Sequence, residues 1–349
     1  MNGLITGVLI DDDRSIKEFK KETFSGHSKN DVIKAMCGAI EIAQYEYAIH
    51  WAYELLCSGL VDTLWNGLFQ VYVDQVNRMN PMLILYLCHR FYSEFIPLRE
   101  SHLGDITRIR NSVSARKIIM EVIGLLCMSH KGKLPNYPKV TSEDYEASSI
   151  RSVCKAPASN YANSILKQSD PVDIYIPINE LAYAIREDNK DCVGALYWIK
   201  WLMEWDKQLK KAHEPLKCED RRVSPMLEEK YRRDVVWVIW EVINKEVSSR
   251  VSSDKQPRAA HMFRNQLEKV MGGLFKAYLY QWEPSSKTTR RNYLVYAIVL
   301  LTDNIEWNVE ICKDKIFIKG LVMKSDDFMI EFKNHEKKVS TGDILLERG

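Results

Sequence analysis

The chain has 349 residues, of which 46% are hydrophobic and 28% charged, and these fractions exclude a fully disordered protein. Its net charge of +2, from 49 Lys and Arg against 47 Asp and Glu, permits contact with nucleic acid but does not argue for it. The longest apolar runs, such as residues 293–301, are much shorter than the roughly 20 residues of a membrane span, and we expect none.

The eight cysteines show no CxxC spacing and the eight histidines form no HExxH pair, so the sequence signals neither a zinc site nor a redox motif. The N-terminus lacks the basic region of a secretory signal. We therefore expect an intracellular protein of a reducing compartment (the cytoplasm, the nucleus or a viral factory or virion), with no metal ion and no cofactor.

Helical periodicity dominates the first part of the chain, where a short segment (1–24) precedes a predicted helical domain (25–130). Ser28 or Asn30 is a candidate cap for its first helix, and Ser58-Gly59 provides the glycine that commonly ends a helix. The predicted helices begin near residue 30, at 45, at 63 and after Asn80-Pro81, and a further one covers 110–130.

The composition then shifts to Ser, Pro, Asn and Lys over 131–177, which is typical of a linker or a long surface excursion. A second helical domain is predicted at 178–306. Its helices are expected at about 178–188, 190–212, 227–249, 258–281 and 288–302. The tail, 307–349, is ambiguous between a helix and a short hairpin. The fold class is therefore all-α, with helical bundles and an irregular C-terminal tail.

Two segments of the chain echo each other. Ala39-Ile40, Ala48-Ile49-His50-Trp51 and Leu55 recur as Ala184-Ile185, Ala195-Leu196-Tyr197-Trp198 and Leu202. Either the two domains contain related helical hairpins, or the echo reflects the packing needs of any hairpin. The second copy continues into an aromatic stripe, Trp198, Trp201 and Trp205, which fits an inter-helix core or a partner interface.

Residues 25–92 resemble the C-terminal oligomerisation (collar) domain of clamp-loader-type AAA+ ATPases. The resemblance depends on the linear order of Ala39-Ile40, Ala48-Ile49-His50-Trp51, Ser58-Gly59, Leu64-Trp65-Asn66-Gly67-Leu68, and Tyr72 through Asp74, Val76 and Asn80 to Pro81. It covers about a fifth of the chain. Gly132-Lys133 is not part of a GxxxxGK[ST] motif, so the phosphate-binding loop of those ATPases is missing and their ATP hydrolysis does not carry over.

What this resemblance implies is the work of a collar, which is to hold subunits together. We therefore predict a non-enzymatic adaptor or oligomerisation protein, with self-association or a protein partner and a possible link to DNA replication. The residues expected at the interface are Trp51, Leu55, Trp65, Asp74, Trp198, Trp201 and Trp205.

Basic residues cluster at several points of the chain. A surface that combined several clusters would suit a nucleic-acid backbone, whereas neighbouring acids favour ordinary solvated faces. The candidates for contact with nucleic acid are Arg108, Arg110, Arg116, Lys117, Arg221, Arg222, Arg232, Arg233, Arg290 and Arg291.

A second resemblance is fainter. Residues 195–207 and 229–243 are similar in style to proteins of large nucleocytoplasmic DNA viruses. The rival hypothesis is therefore a structural protein, such as a minor or internal capsid component.

Overall fold

The computed structural model describes residues 9–102, 105–252 and 258–334, without the side chains of 258–261. The first eight residues of the predicted N-terminal segment and residues 335–349 of the predicted tail lie outside this description. The described residues form fifteen α-helices and no β-strand, so the all-α prediction is confirmed. The helices are α1 (Lys29–Glu41), α2 (Tyr45–Cys57), α3 (Val61–Val71), α4 (Leu83–Cys88), α5 (Ile96–Glu100), α6 (Val113–Met128), α7 (Ala147–Val153), α8 (Tyr175–Ala184), α9 (Cys192–Lys211), α10 (Glu229–Arg232), α11 (Val235–Val251), α12 (Arg258–Leu279), α13 (Arg291–Thr302), α14 (Lys315–Met323) and α15 (Ser325–Lys333).

The chain divides into two compact units. Unit 1 contains the described residues up to Lys131 together with those from Glu310 onward, and unit 2 is Gly132–Val309. The predicted linker is therefore part of unit 2, apart from Lys131. Hydrogen bonds attach it to α8, since the Glu180 carboxylate accepts from the backbone N–H of Lys155 at 2.7 Å. The described part of the predicted tail from Glu310 onward belongs to unit 1, and its helices α14 and α15 pack on α6.

The helix ends of unit 1 follow from local chemistry. The Ser28 hydroxyl accepts a hydrogen bond from the backbone N–H of Asp31 at 3.2 Å, as an N-cap should. Gly59 follows α2 with φ of +68°, a left-handed conformation that favours glycine, and a Cβ there would lie 3.2 Å from the Thr107 side chain. Both predicted helix boundaries are confirmed.

Helix α6 is the central element of unit 1, because α1, α2, α14 and α15 all pack against it. Several of its apolar residues, including Ile119, Val122 and Ile123, are fully buried. Gly124 lets α14 come close: a Cβ at this position would lie 2.6 Å from Ile318 Cδ1 and 3.0 Å from Leu321 Cδ2. The predicted tail thus contributes two helices to this core, and the helical alternative is the right one for residues 315–333.

Unit 2 is built around α8, α9, α11, α12 and α13, close to the five helices predicted for this region. Its interior contains a charge cluster in which the Lys287 ammonium donates to Asp206 at 2.6 Å and to Asp234 at 2.9 Å. Burial tends to raise the pKa of Asp234, but Lys287 and Lys210 outweigh it and the pKa is lowered. The cluster holds α9, the start of α11 and the turn before α13 together through paired charges.

The two echoed segments both form helical hairpins, α1–α2 in unit 1 and α8–α9 in unit 2. Ala48 and Ala195 are fully buried at corresponding positions, and so are Leu55 and Leu202. A small residue at this position allows the paired helix to approach closely.

Candidate functional site: the open groove of unit 1

Two of the predicted interface residues of unit 1 belong to its core. Trp65 is fully buried, with its ring centroid 4.8 Å from that of Phe91 and 5.3 Å from that of Phe95, and Leu55 is buried as well. Their placement at an interface is therefore wrong, because the folded unit already encloses them. Trp51 is half-buried in edge contact with His27 and His50.

Asp74 lies at the border between the core and the surface of unit 1. It is half-buried in a π-helical turn, Tyr72–Val76, and accepts hydrogen bonds from the Gln70 side chain at 2.9 Å. This prediction stays untested as an interface.

The aromatic stripe of α9 also has a partner within the chain. Residues 142–145 of the predicted linker lie on it: the Trp201 indole N–H donates to the Asp144 carbonyl at 2.9 Å, and the Tyr145 ring stacks on Trp205 at 5.0 Å between centroids. Trp198 and Trp201 are each only 3% exposed, and Trp205 is half-buried. Of the two alternatives for this stripe, the inter-element core is correct for Trp198 and Trp201, and their placement at a partner interface is wrong.

Four of the predicted nucleic-acid residues are buried for structural reasons. Arg110 donates to the Thr107 carbonyl at 2.7 Å, and Arg116 donates to the Arg110 carbonyl at 3.2 Å. In unit 2, the Arg221 guanidinium contacts Asp170 at 2.5 Å, and Arg290 donates to the carbonyl of Tyr278. These side chains bind backbone carbonyls and buried acids, so the prediction that they contact nucleic acid is wrong.

The other six basic candidates lie at or near the surface. Arg232 pairs with Asp220 at 3.0 Å, while the remaining five are exposed: Arg108, Lys117, Arg222, Arg233 and Arg291. Arg222 also donates its backbone N–H to Asp220, so the structure brings Arg222 and Arg232 around one acid. Such local compensation fits the solvated-face interpretation of these clusters.

Unit 1 contains a groove of about 790 Å³ between α6 and α14. We call it the open groove. Its floor and walls carry apolar side chains from both helices and from the segment before α14. These are Ile118 and Leu125 of α6, Ile318, Val322 and Met323 of α14, and Ile311. Its volume lies within the range of protein ligand sites, and Met323 is 75% exposed at its rim.

One wall of the open groove is a hydrogen-bonded polar network. Tyr86 donates its hydroxyl to Glu121 at 2.5 Å and accepts from Arg90 Nε at 2.9 Å. Arg90 also pairs with Glu121 at 2.6 Å and with Glu94 at 2.5 Å. Burial and then the bond to Glu121 raise the pKa of Tyr86 to about 12, so its proton stays on the hydroxyl near neutrality.

Arg90 and Glu94 of this wall belong to a π-helical turn, His89–Phe95. Turns of this kind are rare and are frequent at functional sites. The network therefore forms a hydrogen-bonded wall in which Arg90 pairs with both carboxylates and leaves one net negative charge.

At the rim of the open groove, two of the three lysines have no acidic partner among the described residues. Lys117, Lys315 and Lys319 are exposed around the open groove. Lys315 approaches Glu310 at 3.5 Å, whereas neither Lys117 nor Lys319 forms an ion pair with any residue that the structure describes. An apolar floor with lysines at its edge can bind an apolar surface bordered by negative charge.

Sequence reasoning named only Lys117 among the residues of this groove. The second wall, α14, lies in the tail whose structure was left ambiguous, and it joins α6 from about 200 residues further along the chain. Gly124 within the apolar run of α6 was the available signal, because a glycine inside a helix often marks close helix packing.

Comparisons with protein-family models, with curated proteins and with solved structures found no match to this chain. Within the described residues, no helix has the length and apolar character needed to cross a membrane. The same residues contain no group of three or more His, Cys, Asp or Glu side chains arranged to hold a metal ion. All eight cysteines carry free thiols.

Proposed function

We propose that this chain is a non-enzymatic helical adaptor that holds a protein partner in the open groove of unit 1. The observation that carries the proposal is the groove itself, a concave and mainly apolar surface along two helices, with the exposed Met323 at its rim and two lysines there without ion pairs among the described residues. The resemblance of residues 25–92 to the clamp-loader collar implies the same kind of work, which is to hold subunits together, and it supplies the suggested link to DNA replication.

Leu55 and Trp65, which belong to that resemblance, stabilise the fold of unit 1 and are not expected to contact the partner. Both residues are buried in the core of unit 1, and α2, which carries Leu55, packs against α6. The partner is expected at α6 and α14 themselves. The proposed binding is non-enzymatic and requires no reaction of a side chain. The carboxylates of the wall, Glu94 and Glu121, are paired with Arg90.

The test is light scattering coupled to size exclusion on the full chain, with and without duplex and primed DNA. A discrete oligomer that Val322→Asp disperses supports an adaptor that uses the groove, because the aspartate places a charge on the apolar wall. A DNA-dependent shift supports the link to replication. Circular dichroism of the variant shows whether its fold is intact.

A monomer of 40.7 kDa under all of these conditions contradicts self-association and DNA binding. The partner would then have to be a different protein, and the groove should still bind an amphipathic helix. If the groove binds no helix either, the proposed function is wrong.

A further inference from the structure

The walls of the open groove have the spacing of a helix bundle that lacks one member. Ile118 and Leu125 are seven residues apart on α6, and Ile318 and Val322 are four apart on α14, so each pair lies on one helical face. Side chains at these spacings form ridges that accept the side chains of another helix.

The length of the groove fits a short helix. From Ser114 to Leu125 the lining residues of α6 span roughly 17 Å at 1.5 Å per residue. From Lys315 to Met323 those of α14 span roughly 12 Å. An occupant of two to three helical turns would cover both walls.

The charges around the groove discriminate between possible helices. On one side, Arg90 pairs with both Glu94 and Glu121, so this wall keeps one net negative charge. On the rim, Lys117 and Lys319 have no ion pair among the described residues, and both are exposed. The charged residues that line the groove are four basic ones (Arg90, Lys117, Lys315, Lys319) and three acidic ones (Glu94, Glu121, Glu310), a small positive excess that lies at the lysine rim. Acids that flank an apolar stripe would meet that rim favourably.

We infer that the occupant of the open groove is an amphipathic helix of a partner protein, with an apolar stripe bordered by Asp or Glu. This inference rests on the proposed function and names the chemistry of the partner. Recognition of an amphipathic helix by an apolar groove is a recurring mode, in which the stripe at i, i+3 or i+4, and i+7 supplies the anchors and the flanking charges supply specificity.

The experiment measures fluorescence anisotropy of three labelled peptides of fourteen residues titrated with the full chain. The first has Leu at i, i+4, i+7 and i+11 with flanking Glu, the second has the same Leu positions with flanking Lys, and the third is a scrambled form of the first. We expect the acidic peptide to bind about tenfold more tightly than the basic one, since each exposed ion pair contributes only a few-fold. The preference should shrink as salt is raised, because exposed charges are screened.

A charge reversal at the rim provides the decisive variant. Lys319→Glu is expected to abolish or invert the preference for the acidic peptide. Lys34→Glu, an exposed lysine of α1 that does not line the groove, should leave the preference unchanged. Circular dichroism confirms that both variants fold.

The possible failures are distinguishable. If the acidic and basic peptides bind equally and the scrambled one does not, the groove holds a helix but the inferred charge of the partner is wrong. If no peptide binds while the full chain forms an oligomer that Val322→Asp disperses, the inference fails and the proposed function stands. If no peptide binds and the chain stays monomeric, both are wrong.

Discussion

The aromatic face of α9 in unit 2 and the open groove in unit 1 are both apolar surfaces, but only one has been covered by the chain itself. On α9, Asp144 and Tyr145 close over Trp201 and Trp205 with a hydrogen bond of 2.9 Å and a stacked ring. In the groove, Met323 remains 75% exposed, and Lys117 and Lys319 have no ion partner among the described residues. The aromatic face is thus a completed interior contact, and the groove is the surface available to another molecule.

A large apolar surface on a helix is not necessarily accessible to a partner protein. Three tryptophans on one helix require a large contact area, but the contact is made by residues about 55 positions earlier in the same chain. The apolar residues of the groove are smaller. The groove nevertheless suits a partner better, because its rim also carries unmatched charge that can select among ligands.

Removing a tryptophan from the covered face should have the largest effect. Trp201→Ala is expected to lower the free energy of unfolding by about 3–5 kcal/mol, because it leaves a cavity and frees the Asp144 carbonyl. Met323→Ala at the rim of the open groove is the matched control and should change it by less than about 0.5 kcal/mol. Urea denaturation followed by circular dichroism measures both. Equal losses in the two variants would contradict the distinction between a covered face and an open one.

Forcing the walls of the groove apart should have the next largest effect. Gly124→Val places side-chain atoms where a Cβ alone would already lie 2.6 Å from Ile318 Cδ1. Overpacking of this kind costs about 1–3 kcal/mol of unfolding free energy. We also expect weaker binding of the acidic peptide, because Ile318, which lines the groove, must shift.

Gly320→Val is the control for this substitution, since it introduces the same β-branched residue into α14, where a Cβ has nothing within 4 Å. The difference between the two variants in urea denaturation isolates the packing cost from helix propensity. If both variants lose the same unfolding free energy and both keep their affinity for the acidic peptide, close packing of α14 at Gly124 does not determine the shape of the groove.

The parts of the fold that were predicted depend on local signals. Ser28 and Gly59 act within three or four residues of their own position, so the ends of α1 and α2 could be read from the sequence. The cover over Trp201 could not, because Asp144 reaches it through a long-range contact that no local pattern encodes. The groove was missed for the same reason, as α14 returns to α6 from the far end of the chain.

The position of Arg116 around helix α6 indicates that its side chain is buried. Arg116 lies three residues before Ile119 and seven before Ile123, on the apolar face of α6, and it is fully buried. Lys117 is one residue further, about 100° around the helix, and is exposed. Adjacent basic residues therefore have opposite roles, and a cluster in the sequence is not a cluster on the surface.

A smaller effect is expected where the covering segment is held by Asp144. Its carboxylate accepts from the Thr141 backbone N–H at 2.6 Å and from the Tyr197 hydroxyl at 2.9 Å. The bond from the Thr141 backbone, joined by those from the Thr141 and Tyr197 hydroxyls, holds the pKa of Asp144 below its ordinary value of 3.8 despite the opposing effect of burial. Asp144→Asn should cost about 0.5–1.5 kcal/mol at neutral pH, the usual net contribution of a hydrogen bond.

The pH dependence follows from the lowered pKa. The stabilisation from the ionised carboxylate is complete above pH 3.8 and is lost as the pH falls through the folded-state pKa below it. The difference in unfolding free energy between the native chain and Asp144→Asn should therefore be constant from pH 7 to about 5 and shrink below 4. A difference that grows on acidification would contradict this role for Asp144.

The smallest change in stability is expected at the rim of the groove, where it is paired with a change in binding. Lys117→Ala removes an exposed ammonium without an ion pair among the described residues, so the free energy of unfolding should change by less than about 0.5 kcal/mol. Affinity for the acidic peptide should fall about threefold, in line with one exposed charge pair. Lys34→Ala, equally exposed but outside the groove, should alter neither quantity. Because stability is expected to stay constant in both variants, a loss of affinity in Lys117→Ala alone would show that the peptide is recognised at the groove. Equal affinities of the two variants would show that the charge of Lys117 does not contribute to binding.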